Sequence, residues 1–212
     1  MLFIPGSACS TVRRVRFLCV QGGMAGVLSC LAAGSALAAD SQTITFHITV
    51  PAVTCTVAPQ DVTVSSDIDG RAFTGKSWHT GGETDLKVVL SNCGGAGQPG
   101  QSPRLTIAPA DSTTVLSGSS NFLFRDSSST SSGFGVAIFS KAAASITRNS
   151  TTDMVADGGT AWTGPSGAAG STLNQTITLS TGIACGPASD CAASSLQAGN
   201  LKASITFNLV YN

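Results

Sequence analysis

The last eleven residues of the sequence, KASITFNLVYN, alternate between apolar and polar side chains. The apolar positions of this segment are Ile205, Phe207, Leu209 and Tyr211. Alternation with a period of two is typical of a β-strand that buries one face. A second alternating segment, TITFHITV, lies far upstream, and its apolar positions are Ile44, Phe46, Ile48 and Val50. Both segments predict strands with strongly apolar faces, and exposed strand edges of that kind usually recruit another chain.

Short strand-like segments separated by turn residues occupy most of the intervening sequence. They include CTVAPQDVTV, DLKVVLSNC, RLTIAP, GFGVAIF and NQTITLS. Residues 141–172 are rich in Ala, Ser, Thr and Gly, and we expect loops with short pieces of strand there. No segment has the pattern of an amphipathic helix. The sequence therefore predicts one domain, an antiparallel β-sandwich of about six or seven strands.

The first 38 residues have the pattern of an export signal. Arginines at positions 13, 14 and 16 precede an apolar stretch over 17–31, and an A-x-A sequence ends at Ala38. This order predicts cleavage before Ala39. A membrane-spanning helix is the alternative, but the polar and small residues within and after the stretch argue against it.

The charge of the predicted mature chain excludes one class of partner. Loss of the three signal arginines leaves 8 Lys and Arg against 11 Asp and Glu, a formal net charge of −3. No basic stripe or cluster is present. We therefore expect no nucleic-acid partner.

Four cysteines remain after removal of residues 1–38, namely Cys55, Cys93, Cys185 and Cys191. An even number in an exported chain favours disulfides. Three pairings are possible; the short spacing of Cys185 and Cys191 favours a small closed loop and leaves Cys55 with Cys93. Zinc is the rival interpretation, but no C-x-x-C pair exists and the chain has only 2 histidines.

A search for chemistry finds no set of nucleophile, base and orienting group, so we do not expect an enzyme. His47 falls on the polar face of its alternating segment, where contact with solvent is expected. Asp67 and Asp69 in SDIDG partly match a calcium loop, but the closing acidic residue is missing and a turn is the better interpretation. We expect no cofactor and no metal site.

Taken in order, several segments resemble subunits of chaperone–usher pili, the fimbrial adhesion fibres of Gram-negative bacteria. TITFHITVPAVTCTV resembles the N-terminal extension that leads to the first cysteine of those subunits. LKVVLSNC resembles the strand that ends at the second cysteine, SPRLTI resembles the strand after it, and GFGVAIF resembles a later strand of the family. The ending AGNLKASITFNLVYN resembles the family's C-terminal strand, with an upstream glycine, Gly199, and a penultimate aromatic residue, Tyr211.

The resemblance implies an all-β fold, an incomplete immunoglobulin-like antiparallel sandwich of six strands that lacks the seventh. A hydrophobic groove would lie beside the C-terminal strand. The implied organisation is a signal peptide over 1–38, a donor-strand extension over 39–53 and a pilin domain over 54–212.

The resemblance also implies a function, that of a structural subunit which polymerises head-to-tail by donor-strand exchange and supports cell adhesion. The donor residues would be Ile44, Phe46, Ile48 and Val50. The acceptor strand would carry Ile205, Phe207, Leu209 and Tyr211, and the carboxylate of Asn212 would be anchored by a chaperone. The implied partners are other pilin subunits, a periplasmic chaperone and an outer-membrane usher, and the implied location is the cell-surface fimbrium.

Two features depart from the family pattern and leave alternatives open. Family extensions carry glycine seven residues before the first cysteine, where this chain has Ile48, and a bridge between Cys185 and Cys191 is unusual. A minor or adaptor role, or a secreted subunit of the spore-coat-U type, fits the same strand-exchange plan. A sugar-binding adhesin is the rival of a different class, with Trp78 and Trp162 as candidate glycan-binding residues.

Overall fold

The computed structural model describes residues 50–64, 67–116, 118 and 121–212. The predicted signal peptide over 1–38 lies outside the described residues, as do the predicted donor residues Ile44, Phe46 and Ile48. Within the described ranges, no helix has the length and apolar character needed to cross a membrane.

The described chain folds as strands and loops, with helical structure limited to three short 3₁₀ turns. The strands are β1 (Thr54–Pro59), β2 (Thr80–Gly94), β3 (Pro103–Pro109), β4 (Thr113–Val115), β5 (Leu123–Asp126), β6 (Gly135–Phe139), β7 (Thr160–Thr163), β8 (Gln175–Ala184) and β9 (Ile205–Tyr211). The 3₁₀ turns are Gly70–Phe73, Ala143–Ser145 and Gly170–Thr172. The all-β prediction is confirmed. The described residues form nine strands where six or seven were predicted, because β4, β5 and β7 are too short to produce a clear alternating pattern.

The strands form two antiparallel sheets. One sheet has six strands in the order β1-β2-β8-β6-β5-β4, and the other has three in the order β7-β3-β9. In an immunoglobulin constant-type sandwich, strands A, B, E and D form one sheet and C, F and G the other. Here β1, β2, β8 and β6 correspond to A, B, E and D, while β3 and β9 correspond to C and F. Among the described residues, no strand takes the position of G beside β9.

The main core lies between the two sheets and is built from alternate positions of each strand. Leu86 and Val88 of β2 pair with Leu179 and Ile177 of β8. The same cluster includes Leu105, Ile107 and Phe207 from the three-stranded sheet. Full burial of each such side chain contributes about 1.5–3 kcal/mol, so this cluster makes a large favourable contribution to folding.

A second apolar cluster lies on the opposite face of β6. It contains Leu123, Ala137, Phe139, Met154 and Ala184. The segment after β6 supplies Met154 and is fixed by Asp153, which accepts hydrogen bonds from Thr147 N (2.7 Å) and forms an ion pair with Lys141 (2.8 Å). Residues 141–154, the first part of the segment predicted as loops over 141–172, therefore cover one face of the larger sheet, and the later part supplies β7.

Candidate strand-binding groove

One edge of β9 is open within the part of the chain that the structure describes. The other edge pairs with β3, with Leu209 opposite Leu105 and Phe207 opposite Ile107. Just beyond the strand, Asn212 N donates to Ser102 O at 3.2 Å and Ser102 N donates to Asn212 O at 2.6 Å. Because alternate residues of an antiparallel strand bond to the same neighbour, every even-numbered residue from 206 to 212 bonds to β3. The N–H and C=O groups of the odd-numbered residues point to the open edge.

The open edge continues upstream of β9 into the extended segment that precedes it. Asp126 N donates to Lys202 O (2.8 Å), Ala110 N donates to Ser204 O (2.9 Å), and Asn200 N donates to Thr130 Oγ1 (2.9 Å). The even-numbered residues from 200 to 204 thus bond to the body, and Leu201 and Ala203 face the opposite way. At about 3.3 Å per residue, the edge from Leu201 to Tyr211 is about 36 Å long.

A groove of about 1340 Å³ lies beside the first part of this edge. One wall is formed by Ile205, Phe207 and residues 196–204, and the other by residues 59–64 together with Ile68. Apolar side chains of β2, β6, β8 and the adjoining loop contribute the rest of the lining. They are Leu86, Phe134, Val136, Ile138 and Ile183.

The predicted acceptor residues divide into two pairs along the edge. Ile205 and Phe207 line the groove, and Phe207 is buried whereas Ile205 is half-buried. Leu209 and Tyr211 lie beyond the groove and are half-buried. The Tyr211 hydroxyl donates to Ala168 O at 2.7 Å, so its ring is held by the loop after β7. Of the predicted donor residues, only Val50 is described, and it is 64% exposed.

One wall of the groove consists mainly of residues 193–204, here called the strap, which the sequence did not indicate. The strap has no periodic pattern and is held by a loop over 128–134. Ser132 and Gln197 exchange two backbone hydrogen bonds of 3.1 Å each, and the backbone N–H groups of Thr130 and Ser131 donate to Asn200 O. At its upstream end the strap follows Cys191, which is disulfide-bonded to Cys185 at the end of β8.

Gly199 is the one strap residue with a signal in the sequence. Its φ is 156°, and a Cβ at this position would collide with the backbone nitrogen of Ser131. A glycine is therefore required where the strap passes over the 128–134 loop. This contact gives a physical reason for the glycine upstream of the terminal strand.

Two charged residues of β5 fix the loop that supports the strap. The Arg125 guanidinium donates to Ser129 O (3.0 Å), to Phe134 O (3.3 Å) and to Ser131 O. Asp126 accepts from Ser128 Oγ (2.6 Å) and from Ser112 Oγ (2.7 Å). Hydrogen bonds from the Ser128 and Ser112 hydroxyls and from Ser128 N lower the pKa of Asp126 from its usual 3.8 to about 2.

The remaining candidates from the sequence do not form a site together. Asp67 and Asp69 are both exposed, and Asp69 Oδ1 accepts from Arg71 N at 2.9 Å and so caps the 3₁₀ turn Gly70–Phe73. Trp78 packs edge-on against Phe122 in the outer cluster, whereas Trp162 packs against the core between the sheets. In the described ranges, no group of three or more His, Cys, Asp or Glu side chains is arranged to hold a metal ion.

The structure contains both disulfides that the cysteine spacing favoured. Cys55 pairs with Cys93 and Cys185 pairs with Cys191. The first bridge joins β1 to the end of β2. The second closes the short loop between β8 and the strap.

Comparison with known proteins finds similarity to solved structures only. No protein-family model matches the chain, and no curated protein sequence matches it. The P pilus rod subunit PapA aligns with a TM-score of 0.42 at 15% identity, covering 81% of this chain and 100% of that subunit. A chaperone–usher pilus, solved to explain how its rod uncoils, aligns with a TM-score of 0.38 at 15% identity, covering 83% of this chain and 98% of that one.

Proposed function

We propose that this protein is a structural subunit of a chaperone–usher pilus and that its groove binds an extended strand from another subunit. The observation that carries the proposal is the open edge from Leu201 to Tyr211 beside an apolar groove. An exposed edge of this length presents unpaired N–H and C=O groups and partly exposed apolar side chains together. Both are satisfied at once by an added β-strand.

The size of the groove favours a peptide strand over a small molecule. Small-molecule pockets occupy about 300–1,000 Å³, and this groove measures about 1340 Å³. An added strand forms a main-chain ladder along the edge and places every second side chain in the groove. Apolar side chains at alternate positions are what such a strand needs.

The proposed occupant is the segment with Ile44, Phe46, Ile48 and Val50 of a second subunit. Its four apolar positions repeat every two residues, the same interval at which odd-numbered residues face the open edge. Full burial of four such side chains contributes about 6–12 kcal/mol, at about 1.5–3 kcal/mol each. Antiparallel pairing with β9 is favoured because parallel ladders are slightly less stable per residue.

The course of the chain at Pro51 supports assembly into a polymer. Ala96 N donates to Pro51 O at 3.2 Å, so the chain enters the body beside the loop after β2. β9 ends at the same end of the sandwich, which we call the extension end. The opposite end, where the strap lies, is called the strap end. Antiparallel insertion would bring the C-terminal part of a donor segment, near Val50, to the strap end of the acceptor. A contact between two different surfaces is heterologous, and it generates a filament when the rotation between subunits does not close a ring.

Assembly requires that the groove be covered before a donor arrives, since an uncovered apolar edge promotes aggregation. The resemblance supplies the covering partner, a periplasmic chaperone, with an outer-membrane usher as the site of exchange. In this proposal the Asn212 carboxylate is the group that the chaperone holds. The finished fibre lies at the cell surface and supports adhesion.

The experiment that tests the proposal adds the donor segment in cis. Both chains carry Phe46→Asp and Ile48→Asp in their own N-terminal segment, so that it cannot fill a neighbour's groove. Residues 40–51 with the native sequence are appended after Asn212 through a flexible linker, and the matched control carries Asp in place of Ile44, Phe46 and Ile48 in the appended copy. We expect a soluble monomer whose melting temperature far exceeds that of the control, because the bound segment stabilises only the folded state. Equal melting temperatures for the two chains would overturn the proposed function.

A further inference from the structure

The Cys185–Cys191 bridge lies directly beneath the groove. Both cysteines are fully buried, at 0% exposure, in a cluster with Phe73 and Phe134. Leu196 and Leu201 of the strap pack against the same cluster, and both line the groove. The bridge is therefore part of the apolar cluster against which this wall of the groove packs.

The bridge connects the end of a strand that is paired on both sides to a segment that lacks regular secondary structure. Cys185 follows β8, which is paired on both sides, with β2 and with β6. Cys191 precedes the strap, where residues 193–195 and 197–200 are exposed and belong to no strand. The loop between the cysteines is fixed further by Gly75 N, which donates to Cys191 O at 2.9 Å, and by Trp78 N, which donates to Gly186 O at 2.7 Å.

Among the described residues, few other hydrogen bonds hold the backbone around Leu196. Between Cys191 and Gln197 the strap is held by two kinds of hydrogen bond. Ser195 N and Leu196 N donate to Ala192 O within a turn, and Ser132 Oγ of the 128–134 loop donates to Ser195 O. A strap released at Cys191 would have to be ordered again when a donor binds. Ordering the backbone of even one residue costs about 1–2 kcal/mol, which corresponds to about tenfold in affinity.

We infer that the Cys185–Cys191 disulfide positions the strap for strand capture and so determines how tightly the groove holds the C-terminal half of a donor segment. This inference rests on the proposed function and deepens it. The bridge belongs to the binding site, whereas Cys55–Cys93 belongs to the body of the sandwich. The donor residues affected are Ile48 and Val50, because antiparallel insertion places them beside the strap.

The test measures peptide capture by the full chain with Phe46→Asp and Ile48→Asp, which cannot fill a groove with its own segment. Binding of labelled peptides of residues 40–51 is measured by fluorescence anisotropy. Three peptides are compared: the native sequence, a peptide with Ile44→Gly, and a peptide with both Ile48→Gly and Val50→Gly. Each is measured with the bridge intact and with Cys185→Ser plus Cys191→Ser. A second bridge-free variant, Cys185→Ala plus Cys191→Val, preserves the apolar packing if the serine variant fails to fold.

We expect loss of the bridge to weaken the native peptide and the Ile44→Gly peptide by about tenfold, as estimated from the ordering of one residue. The affinity of the Ile48→Gly plus Val50→Gly peptide should fall much less when the bridge is removed, because this peptide no longer fills the part of the groove beside the strap. The same factor for all three peptides, or no loss for any of them, would overturn the inference. Failure of the native peptide to bind with the bridge intact would instead count against the proposed function.

Discussion

A disulfide lies at each end of the sandwich, but the surroundings of the two disulfides differ. At the extension end, Cys55–Cys93 lies among glycine-rich loops whose backbones touch: a Cβ on Gly170 would collide with the backbone of Gly94, and one on Gly97 with that of Gly167. At the strap end, Cys185–Cys191 lies under an open groove. Cys55 and Cys93 are half-buried and join β1 to β2 among these loops, whereas Cys185 and Cys191 are fully buried behind a groove that we propose another chain covers.

The largest expected difference between the ends is in stability. In the chain-entropy model, removing Cys55–Cys93 lowers the free energy of unfolding by about 4 kcal/mol, and removing Cys185–Cys191 lowers it by about 2 kcal/mol, because the first bridge closes a much longer loop. Denaturant titration of the two double-serine variants, each in the chain with the appended donor segment, measures both values. A greater loss of stability for the strap-end bridge would contradict the division between body and groove.

A smaller effect is expected at Gly199, where the strap meets the 128–134 loop. Gly199→Ala should cost about 1–3 kcal/mol, because the new Cβ collides with Ser131 N and the backbone must move. Gly158→Ala is the matched control: its φ is also positive, at 72°, but no atom lies within 4 Å of the added Cβ.

We expect Gly199→Ala to weaken peptide capture in addition to stability, and Gly158→Ala to affect stability alone. Thermal melts and peptide titrations of the two variants provide the comparison. Equal peptide affinities for the two variants would show that the strap position does not matter for capture.

The smallest effect is expected when the carboxylate of Asp126 or of Asp153 is replaced by an amide. The pKa of Asp126 is lowered to about 2, so its hydrogen bonds contribute stability that is fully present above about pH 4 and is lost as the pH falls towards 2. Asp126→Asn should flatten this part of the pH–stability curve and weaken peptide capture, because the carboxylate accepts hydrogen bonds from Ser128 N and Ser128 Oγ in the loop that supports the strap.

Asp153 is the control for that experiment. A hydrogen bond from Lys141 lowers the pKa of Asp153 as well, but this residue fixes the loop on the outer face of the larger sheet. Asp153→Asn should therefore reduce stability above about pH 4 and leave peptide capture unchanged. Urea titrations from pH 2 to 6 and anisotropy at pH 6 separate the two outcomes; loss of capture in both variants would remove the distinction.

The sequence predicts the strands of this fold better than it predicts the groove. Alternation identified β9 and its inward face, since Phe207 is buried whereas Thr206 and Asn208 are exposed. The strap has no such signal, because its residues are placed by hydrogen bonds to a loop some 65 residues upstream and by a disulfide. The outer cluster was missed for a similar reason: Met154 is an isolated apolar residue in an Ala/Ser/Thr-rich segment, and only tertiary packing shows its role.

Amide hydrogen exchange, resolved residue by residue, tests the central claim most directly. The two samples are the chain with the native appended donor segment and the chain with its Asp-substituted control, both with Phe46→Asp and Ile48→Asp in the N-terminal segment so that neither can donate to a neighbour. We predict that the N–H groups of Leu201, Ala203, Ile205, Phe207, Leu209 and Tyr211 become protected only when the native segment is present. Those of Thr206, Asn208 and Val210 should be slow in both samples, because they bond to β3. Odd-numbered amides that exchange equally in the two samples would contradict strand capture at this edge.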